Sequence, residues 1–342
     1  MAVVGVMFNL QGDPPKEGEP PDLGAELDSE STILAVADAL RAYGHDVSLL
    51  EGDWRGISQL HGRHVDIVFN MCEGLRGESR ESHVPAVLEM PGIPYTGSGV
   101  LSLAVTLDKP LAKKVLTYHG IPTAPFRVFT DENDIDVQGL RFPVFVKPAH
   151  EGSSMGVTPK SLCKEPLDLY REAKRLLREY TQPVLVEELL PGREFTVGII
   201  GNREPIIFPI MEVDFELVPP EHSRIYSRQF KVEWSDDVYY SCPADVHPEL
   251  EACIKKTALD TYRALDCRDL ARVDLRLDAA GVPNVMEINP LPGLAPGFSD
   301  YPRIAEKGGW TYVELVNGVL ECALRRNNLT ELVPARLSRQ IA

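Results

Sequence analysis

The sequence predicts an α/β fold, a doubly wound parallel sheet followed by further mixed units, and three patterns carry that reading. Residues 3–69 alternate apolar strands with a helical stretch, the rhythm of a small parallel sheet covered by helices. A second alternation of helices and strands begins near Asp108. Residues 271–289 then give two segments of period two joined by a turn, an antiparallel hairpin. At 342 residues the chain is too long for one ordinary domain. The expected divisions are 1–107, 108–194 and 195–335, with a tail at 336–342.

Residues 3–8 are apolar and short and lack the basic start of a signal peptide, so they read as a first strand. Residues 9–25 form a loop rich in Pro, Gly and acids. Ser29 or Asp28 is suited to cap a helix running to about Tyr43, with Ile33, Leu34, Ala37 and Leu40 as its apolar stripe and Gly44 as its stop. Residues 47–50 and 65–69 supply two more strands. Ligands of such sheets bind beyond the carboxyl ends of the strands, here the 9–25 loop and residues 70–78. In the second unit, residues 108–119 read as helix, 126–129 and 143–147 as strands, 165–179 as a charged helix and 184–188 as a strand. Residues 195–200 open the third. A helix follows with apolar spacing Leu250, Ile254, Thr257, Ala258, Thr261 and Leu265, then the hairpin, then a helix at about 311–325. The basic end, with Arg325, Arg326, Arg336 and Arg339, reads as a solvated tail.

Lys plus Arg number 35 against 51 Asp plus Glu, a net charge of −16 that argues against nucleic acid or an anionic membrane as partner. It leaves room for a nucleotide, which needs only a local basic cluster. The six cysteines have no CxxC spacing, which favours reduced thiols in a cytoplasm over disulfides or zinc. No apolar run is long enough to span a membrane.

The hairpin is the most informative segment. In Arg272-Val-Asp274-Leu-Arg276-Leu277 the residues Val273, Leu275 and Leu277 share one face; in the return strand Met286 and Ile288 form the apolar set, and Glu287 and Asn289 the polar set. Asp278-Ala-Ala-Gly281 is a turn signal. Pairing the strands gathers Asp274, Glu287 and Asn289 on one surface beside Arg272. Three hard oxygen donors and a guanidinium suit Mg²⁺ bound to polyphosphate. Taken alone, the same acids would equally serve as a solvated face or a Ca²⁺ site. Phe145-Val-Lys147 ends a strand and leads into a Gly/Ser loop, Glu151-Gly-Ser-Ser-Met-Gly156, whose backbone N–H groups can approach phosphate oxygens closely. Lys147 would add a point charge. The plain alternative is a flexible hairpin with a surface lysine, and without GK[ST] it is not a P-loop. Residues 183–188 end a buried strand in Glu187-Glu188, whose edge could read an adenine, and Glu194 could accept from a ribose hydroxyl.

The order of these segments resembles the ATP-grasp ligases, and the chain resembles the D-alanine–D-alanine ligase family over nearly its whole length. The resemblance rests on Tyr95-Thr-Gly-Ser-Gly99, Asp108-Lys109, Lys147-Pro148, Glu151 to Gly156, Glu187, Glu194-Phe-Thr-Val197, Cys242-Pro-Ala244, Arg272-Val-Asp274, Glu287-Ile-Asn289 and Pro292-Gly293. It implies an N-terminal substrate-side domain followed by a two-lobed ATP-grasp unit with the metal site in its C-terminal lobe. It implies that Lys109, Lys147 and, by a looser alignment, Lys231 hold ATP phosphates, with Glu151, Gly152, Ser153, Ser154 and Gly156 closing over them. By the same resemblance Glu187, Glu188, Leu189 and Leu190 meet the adenine and Glu194 the ribose. Asp274, Glu287 and Asn289 hold two Mg²⁺, with Mn²⁺ as a substitute. Arg272 and the Gly293 amide stabilise an oxyanion, and Ser153 lies on the substrate side. The implied reaction activates an amino-acid carboxylate as an acyl phosphate for attack by a second amino acid's amine. Homodimers are common in the family.

The departures fall on the amino-acid side. The family's compact Gly/Ser/Glu signature is replaced by the proline-rich loop before Glu26-Leu-Asp-Ser-Glu30. Either Glu26 or Glu30 would bind the substrate amine; Glu30 is preferred because it sits in a helix's first turn, although the helix dipole alone accounts equally for an acid there. Glu73-Gly74 stands where the family has His-Gly, and Val232 where a tyrosine is expected. Phe298-Ser299 stands in place of a polar run. Glu73, Phe298 and Ser299 are thus the expected substrate wall. The competing readings are the same chemistry on a different amino acid or peptide pair, a plain phosphotransferase, and a nucleotide-binding regulator, which would be expected to have lost Arg272 or a metal ligand.

Overall fold

The computed structural model describes residues 1–60, 62–215 and 240–334. Its first layer follows from three apolar runs: Val3–Phe8 (β1), Asp46–Glu51 (β2) and Ile67–Asn70 (β3) pair in parallel in the order β2-β1-β3. Parallel neighbours need a crossover, and helix Glu30–Ala42 (α1) supplies it. The Ser29 hydroxyl caps that helix by accepting from the Thr32 N–H at 3.3 Å. Gly44 then takes φ 86°, which a side chain would resist, and turns the chain into β2. The buried stripe is Ile33, Val36, Ala37 and Leu40. Leu34, expected inside, is 41% exposed, because it lies one helical step off a stripe that Val36 completes. Short helices Trp54–Leu60 (α2), His83–Glu89 (α3) and Val100–Leu107 (α4) add to the elements expected.

Helix Lys109–Tyr118 (α5) starts at Asp108, whose side chain accepts from the Leu111 N–H at 2.8 Å. Strands Phe126–Phe129 (β4), Val144–Pro148 (β5), Leu162–Cys163 (β6) and Val184–Glu188 (β7) form an antiparallel sheet in the order β4-β7-β5-β6. Helix Pro166–Tyr180 (α6) covers it with Leu169, Ala173 and Leu176. The third sheet takes Glu194–Ile200 (β8), Ile206–Ile207 (β9), Met211–Val213 (β10), Tyr240–Ser241 (β11), Leu270–Leu277 (β12) and Pro283–Asn289 (β13). Its order is β11-β10-β8-β12-β13, with β9 also on β8. Helices Pro248–Ala264 (α7), Asp300–Lys307 (α8) and Tyr312–Arg326 (α9) complete the described chain.

Two packing features position the site. By sequence α5 belongs with the second unit, yet Ala112 and Leu116 pack with Phe195, Val197, Val273 and Leu275 of the third sheet. The first sheet also shares a core with the C-terminal helices. Val4, Val6, Val36 and Leu40 pack in one cluster with Tyr301, Val316, Val319 and Leu320, and the Asn317 amide donates to the Ala39 carbonyl at 2.8 Å. Arg326 is not part of a solvated tail. Its Nη2 donates to Asp269 Oδ2 at 2.7 Å and to the Tyr95 carbonyl at 2.9 Å, and Asp269 is 0% exposed. A buried carboxylate needs such a partner. Arg336 and Arg339 lie outside the described residues. All six cysteines are free thiols, Cys253 being exposed. Among the described residues no helix is long and apolar enough to cross a membrane.

Leu320 is 1% exposed in the shared core. Leu320→Ala is expected to cost about 2–5 kcal/mol, read as a lower denaturant midpoint. If instead the loss stays below about 0.5 kcal/mol, the two regions do not stabilise each other through this residue.

Candidate functional site

One cleft opens between the second and third sheets. Its walls carry Lys109, Lys147, Glu151, Ser154, Glu187 to Leu190, Glu194, Asp274, Arg276, Met286 and Glu287. The charges in it are set by sheet geometry. Phe145 on β5 faces Glu187 on β7, so Lys147, two residues on, lies diagonal to Glu187 on the same face. Lys147 Nζ sits 2.8 Å from Glu187 Oε2, and Lys113 Nζ, from α5, sits 2.6 Å from Oε1. Burial alone would raise the Glu187 pKa; the two ammonium groups outweigh it and hold the carboxyl at about 2. Burial lowers the Lys113 pKa despite that pairing, whereas Glu187 and Glu287 offset burial at Lys147 and raise it. Two buried lysines thus share one carboxylate, leaving positive charge at the cleft wall. The Glu188 carboxylate turns instead to Arg141, 2.8 Å away, and Glu194 pairs with Arg276 at 3.2 Å.

The opposite wall is the hairpin. Its register sets Arg272 against Asn289 and Asp274 against Glu287, so the four polar residues converge as expected. The turn closes through Asp278 and Gly281, the latter at φ 81°. A bulge beside Asp274 makes Leu275 face Val285, and Met286 is the extra residue. Val285 and Ile288 are therefore the buried pair, and Met286 turns to the cleft, correcting the expectation that Met286 and Ile288 share the apolar face. Arg272 Nη2 lies 2.9 Å from Asp274 Oδ2 and 4.0 Å from Glu287 Oε1; Lys109 Nζ lies 3.6 Å from Glu287 Oε2. Burial disfavours the Arg272 charge, but Asp274, Asp300 and Glu287 outweigh it and raise its pKa. Thr196 donates to Asp274 at 2.9 Å, and Asn289 Oδ1 accepts from the Leu291 N–H. Among the described residues no group of three or more His, Cys, Asp or Glu is placed to hold a metal. The oxygen set here is two carboxylates and one amide, hard donors of the kind Mg²⁺ takes when substrate phosphates and waters fill the remaining positions.

A second, smaller pocket adjoins the hairpin. Ser153, Arg272, Asn289, Gly293, Phe298 and Ser299 line it together with Glu26 and Glu73. Gly293 matters for its missing side chain: a Cβ there would meet Ser299 Oγ at 2.8 Å. Glu30 is not in this pocket. It is exposed at the first turn of α1, where its charge complements the positive helix end. Of the two acids expected there, Glu26 and not Glu30 lines the pocket. Lys231 lies outside the described residues.

The 9–28 loop is fastened to the Gly/Ser loop by buried polar contacts that the motifs alone did not reveal. Arg80 Nη2 lies 2.7 Å from Glu26 Oε1 and 3.0 Å from Glu151 Oε2. The Gly152 N–H donates to Glu26 Oε2 at 3.3 Å, the Gly156 N–H to Asp22 Oδ2 at 2.8 Å, and Tyr180 Oη to Asp22 Oδ1 at 2.6 Å. The Glu151 carbonyl accepts from Lys109 Nζ, and its carboxylate accepts from Gln182. Ser153 and Ser154 hold φ values of 47° and 58°, a left-handed backbone that these contacts sustain. Lys113 and Arg80 were the missed residues. Lys113 had a signal, since it follows Lys109 by one helical turn; Arg80 had none beyond its place in an acid-rich segment.

A family model described as D-ala D-ala ligase C-terminus matches residues 115–321. A Sinorhizobium fredii protein of uncharacterised function, y4sG, is 38% identical over 334 residues, 95% of each chain. A D-alanine–D-alanine ligase of Bordetella avium is 33% identical over 313 residues, 88% of this chain and 94% of its own. The crystal structure of a D-alanine–D-alanine ligase from Bacillus anthracis complexed with ATP superposes with a TM-score of 0.72 at 25% identity, covering 96% of this chain and 99% of that one.

Glu187 supplies the pH test of the cleft. Its carboxyl is held at about 2, below its ordinary 4.5. The stability it contributes is therefore complete above pH 4.5 and is lost as pH falls through 2. Glu187→Gln, which strands two buried lysines, is expected to lose about 3–5 kcal/mol at pH 7 and to show a flatter stability profile between pH 4.5 and 2. Urea unfolding across that range decides it. Parental stability at pH 7 would remove the anchoring role.

Proposed function

Because the chain belongs to the D-alanine–D-alanine ligase family, whose members are ATP-dependent ligases forming carbon–nitrogen bonds, we propose that it joins two amino acids through an acyl phosphate with the residues assigned below. The observation that carries this reading is the meeting of a lysine-lined cleft and an amino-acid-sized pocket at Arg272 and the Asp274–Glu287 pair. A carboxylate is a poor electrophile. One oxygen of the donor carboxylate attacks the γ-phosphorus of ATP, the bond to the β–γ bridging oxygen breaks, and ADP leaves. The acceptor's neutral amine then attacks the acyl carbon, phosphate departs, and the amine proton is lost as the amide forms.

Lys109 and Lys147 offset charge on the phosphates, and Lys113 positions Lys147 through Glu187. The edge at 187–190 takes the adenine and Glu194 a ribose hydroxyl. The loop at 151–156 shields the acyl phosphate from water. Asp274, Glu287 and Asn289 would hold Mg²⁺, two ions in all, or Mn²⁺, which would supply positive charge to offset that on the phosphate oxygens. Arg272 and the Gly293 N–H face the oxyanion formed as the amine attacks, and Ser153 and Glu26 orient the amino-acid substrate. Residues 1–107 serve the amino acid, 108–194 the nucleotide, and 195–335 the metal. A reducing cytoplasm is the setting, which the six thiols support, and a homodimer is the assembly expected from the family.

The pair named by the relatives, two D-alanines, is the first to test. A specific observation favours the same reaction on a different donor: Glu73, with Arg80 latching Glu26, replaces the family's histidine beside the amino-acid pocket.

Arg272→Ala is expected to lower kcat about 10²–10³-fold while ATP still binds; near-normal turnover would end its oxyanion role. Asp274→Asn should shift the Mg²⁺ titration of ADP release to higher concentration, and an unchanged titration would rule out the metal assignment. ADP release measured over amino-acid pairs of both chiralities, with masses of the products, tests the reaction itself: no amide with any pair would overturn it.

A further inference from the structure

A narrow cavity continues from the amino-acid pocket into the seam between the first sheet and the C-terminal lobe. The two share Glu26, Glu73 and Gly293. A donor whose carboxylate lies at Arg272 and Gly293 therefore has this cavity as the way out for a longer side chain. The floor is apolar, formed by Phe69, Leu270 and Leu291, and suits methylene groups. The polar wall is Asp28, Asn70 and Glu73.

The wall is unbalanced in charge. Arg80 makes its direct ion pairs with Glu26 and Glu151. Among the described residues neither Asp28 nor Glu73 has a cation within ion-pair distance, and neither side chain accepts a hydrogen bond. Burial and the neighbouring acids push the Glu73 carboxyl well up, and burial pushes Asp28 up to about 7. Such carboxylates gain most from a cation brought in by a ligand. Asn70 is an independent sign of a missing ligand. It is 5% exposed, its Oδ1 accepts from the Cys72 N–H at 3.2 Å, and its Nδ2 has no partner. That fixes the amide's orientation and leaves a buried donor on the cavity wall. It suits the oxygen of a water or hydroxyl that accompanies an ammonium.

We infer that the acyl donor is an amino acid carrying a second, side-chain ammonium group, a diamino acid whose methylenes lie on Phe69, Leu270 and Leu291 and whose ammonium sits between Asp28 and Glu73. The inference rests on the ligase reading above and narrows its donor. The α-carboxylate is activated as before; the side-chain ammonium stays protonated and takes no part in bond making.

The full chain with Mg²⁺ and ATP is offered ornithine or lysine, in each chirality, against the uncharged norvaline or norleucine, with D-alanine as fixed acceptor. ADP release is followed, and products are fragmented in the mass spectrometer to show which residue is the acyl half. The diamino acid is expected in the acyl position with kcat/KM at least about tenfold above its uncharged counterpart. Glu73→Gln and, separately, Asp28→Asn should shrink that ratio about tenfold, with the thermal unfolding midpoint confirming a folded variant. A ratio near one, or diamino acids found only in the acceptor position, overturns the inference while the ligase reading stands. A ratio unchanged in both folded variants overturns the assigned wall. ADP release absent with every pair, alanine included, overturns the ligase reading and this inference with it.

Discussion

The Glu187 carboxylate, held between two buried lysines, is the constraint on which the rest of the site depends. Lys147 and Glu187 stand on the second sheet, while Lys113 comes from a helix whose apolar face packs on the third. One anion therefore fixes the distance between two lobes with separate cores. It does so at the wall of the cleft. Removing the carboxylate would strand both lysine charges against each other in a dry environment, so the arrangement depends on that one anion. The same logic recurs at Asp269 and Arg326, which tie the 95–97 loop to the end of α9.

A second tier of polar contacts fastens the loops. Arg80 bridges Glu26 and Glu151, while Asp22 receives the Gly156 amide and the Tyr180 hydroxyl. These are contacts between segments far apart in sequence, and each buries a charge or an N–H that would otherwise be orphaned. They also gather carboxylates close together. Glu81, whose Oε2 has no partner, is pushed up to about 8 by burial and by Glu26.

The hairpin was legible because period two and a turn with Gly281 leave one register that buries Val273 and Leu275. The bulge at Met286 was not, since a single inserted residue keeps the composition and changes only the facing. The helix stripe was nearly legible and failed at Leu34, where Val36 offered an equally apolar alternative. Glu30 misled because the position it holds, a helix's first turn, attracts acids for its own electrostatic reason. Glu26 was the other candidate, but it follows a proline-rich loop with no periodicity to favour it, and only folding sets it beside Arg80. The buried role of Arg326 was hidden too: a basic helix end looks solvated until its partner, Asp269, is located in space. Local pattern thus specified the elements and the hairpin face, and non-local charge pairing specified the pocket lined by Glu26 and Glu73.

The core shared by the first sheet and the C-terminal helices bears on how such proteins diversify. The residues proposed above to face the amino acid, Glu26, Asp28, Asn70, Glu73 and Arg80, all precede α5 in the chain, so a single crossover would suffice to exchange them between relatives. Yet Val36, Ala39 and Leu40 are packed into the same cluster as Val316, Val319 and Leu320. A recombined chain must bring a first helix whose surface fits a last helix inherited from another parent. Selectivity is therefore portable between chains only as far as that helix pair remains complementary.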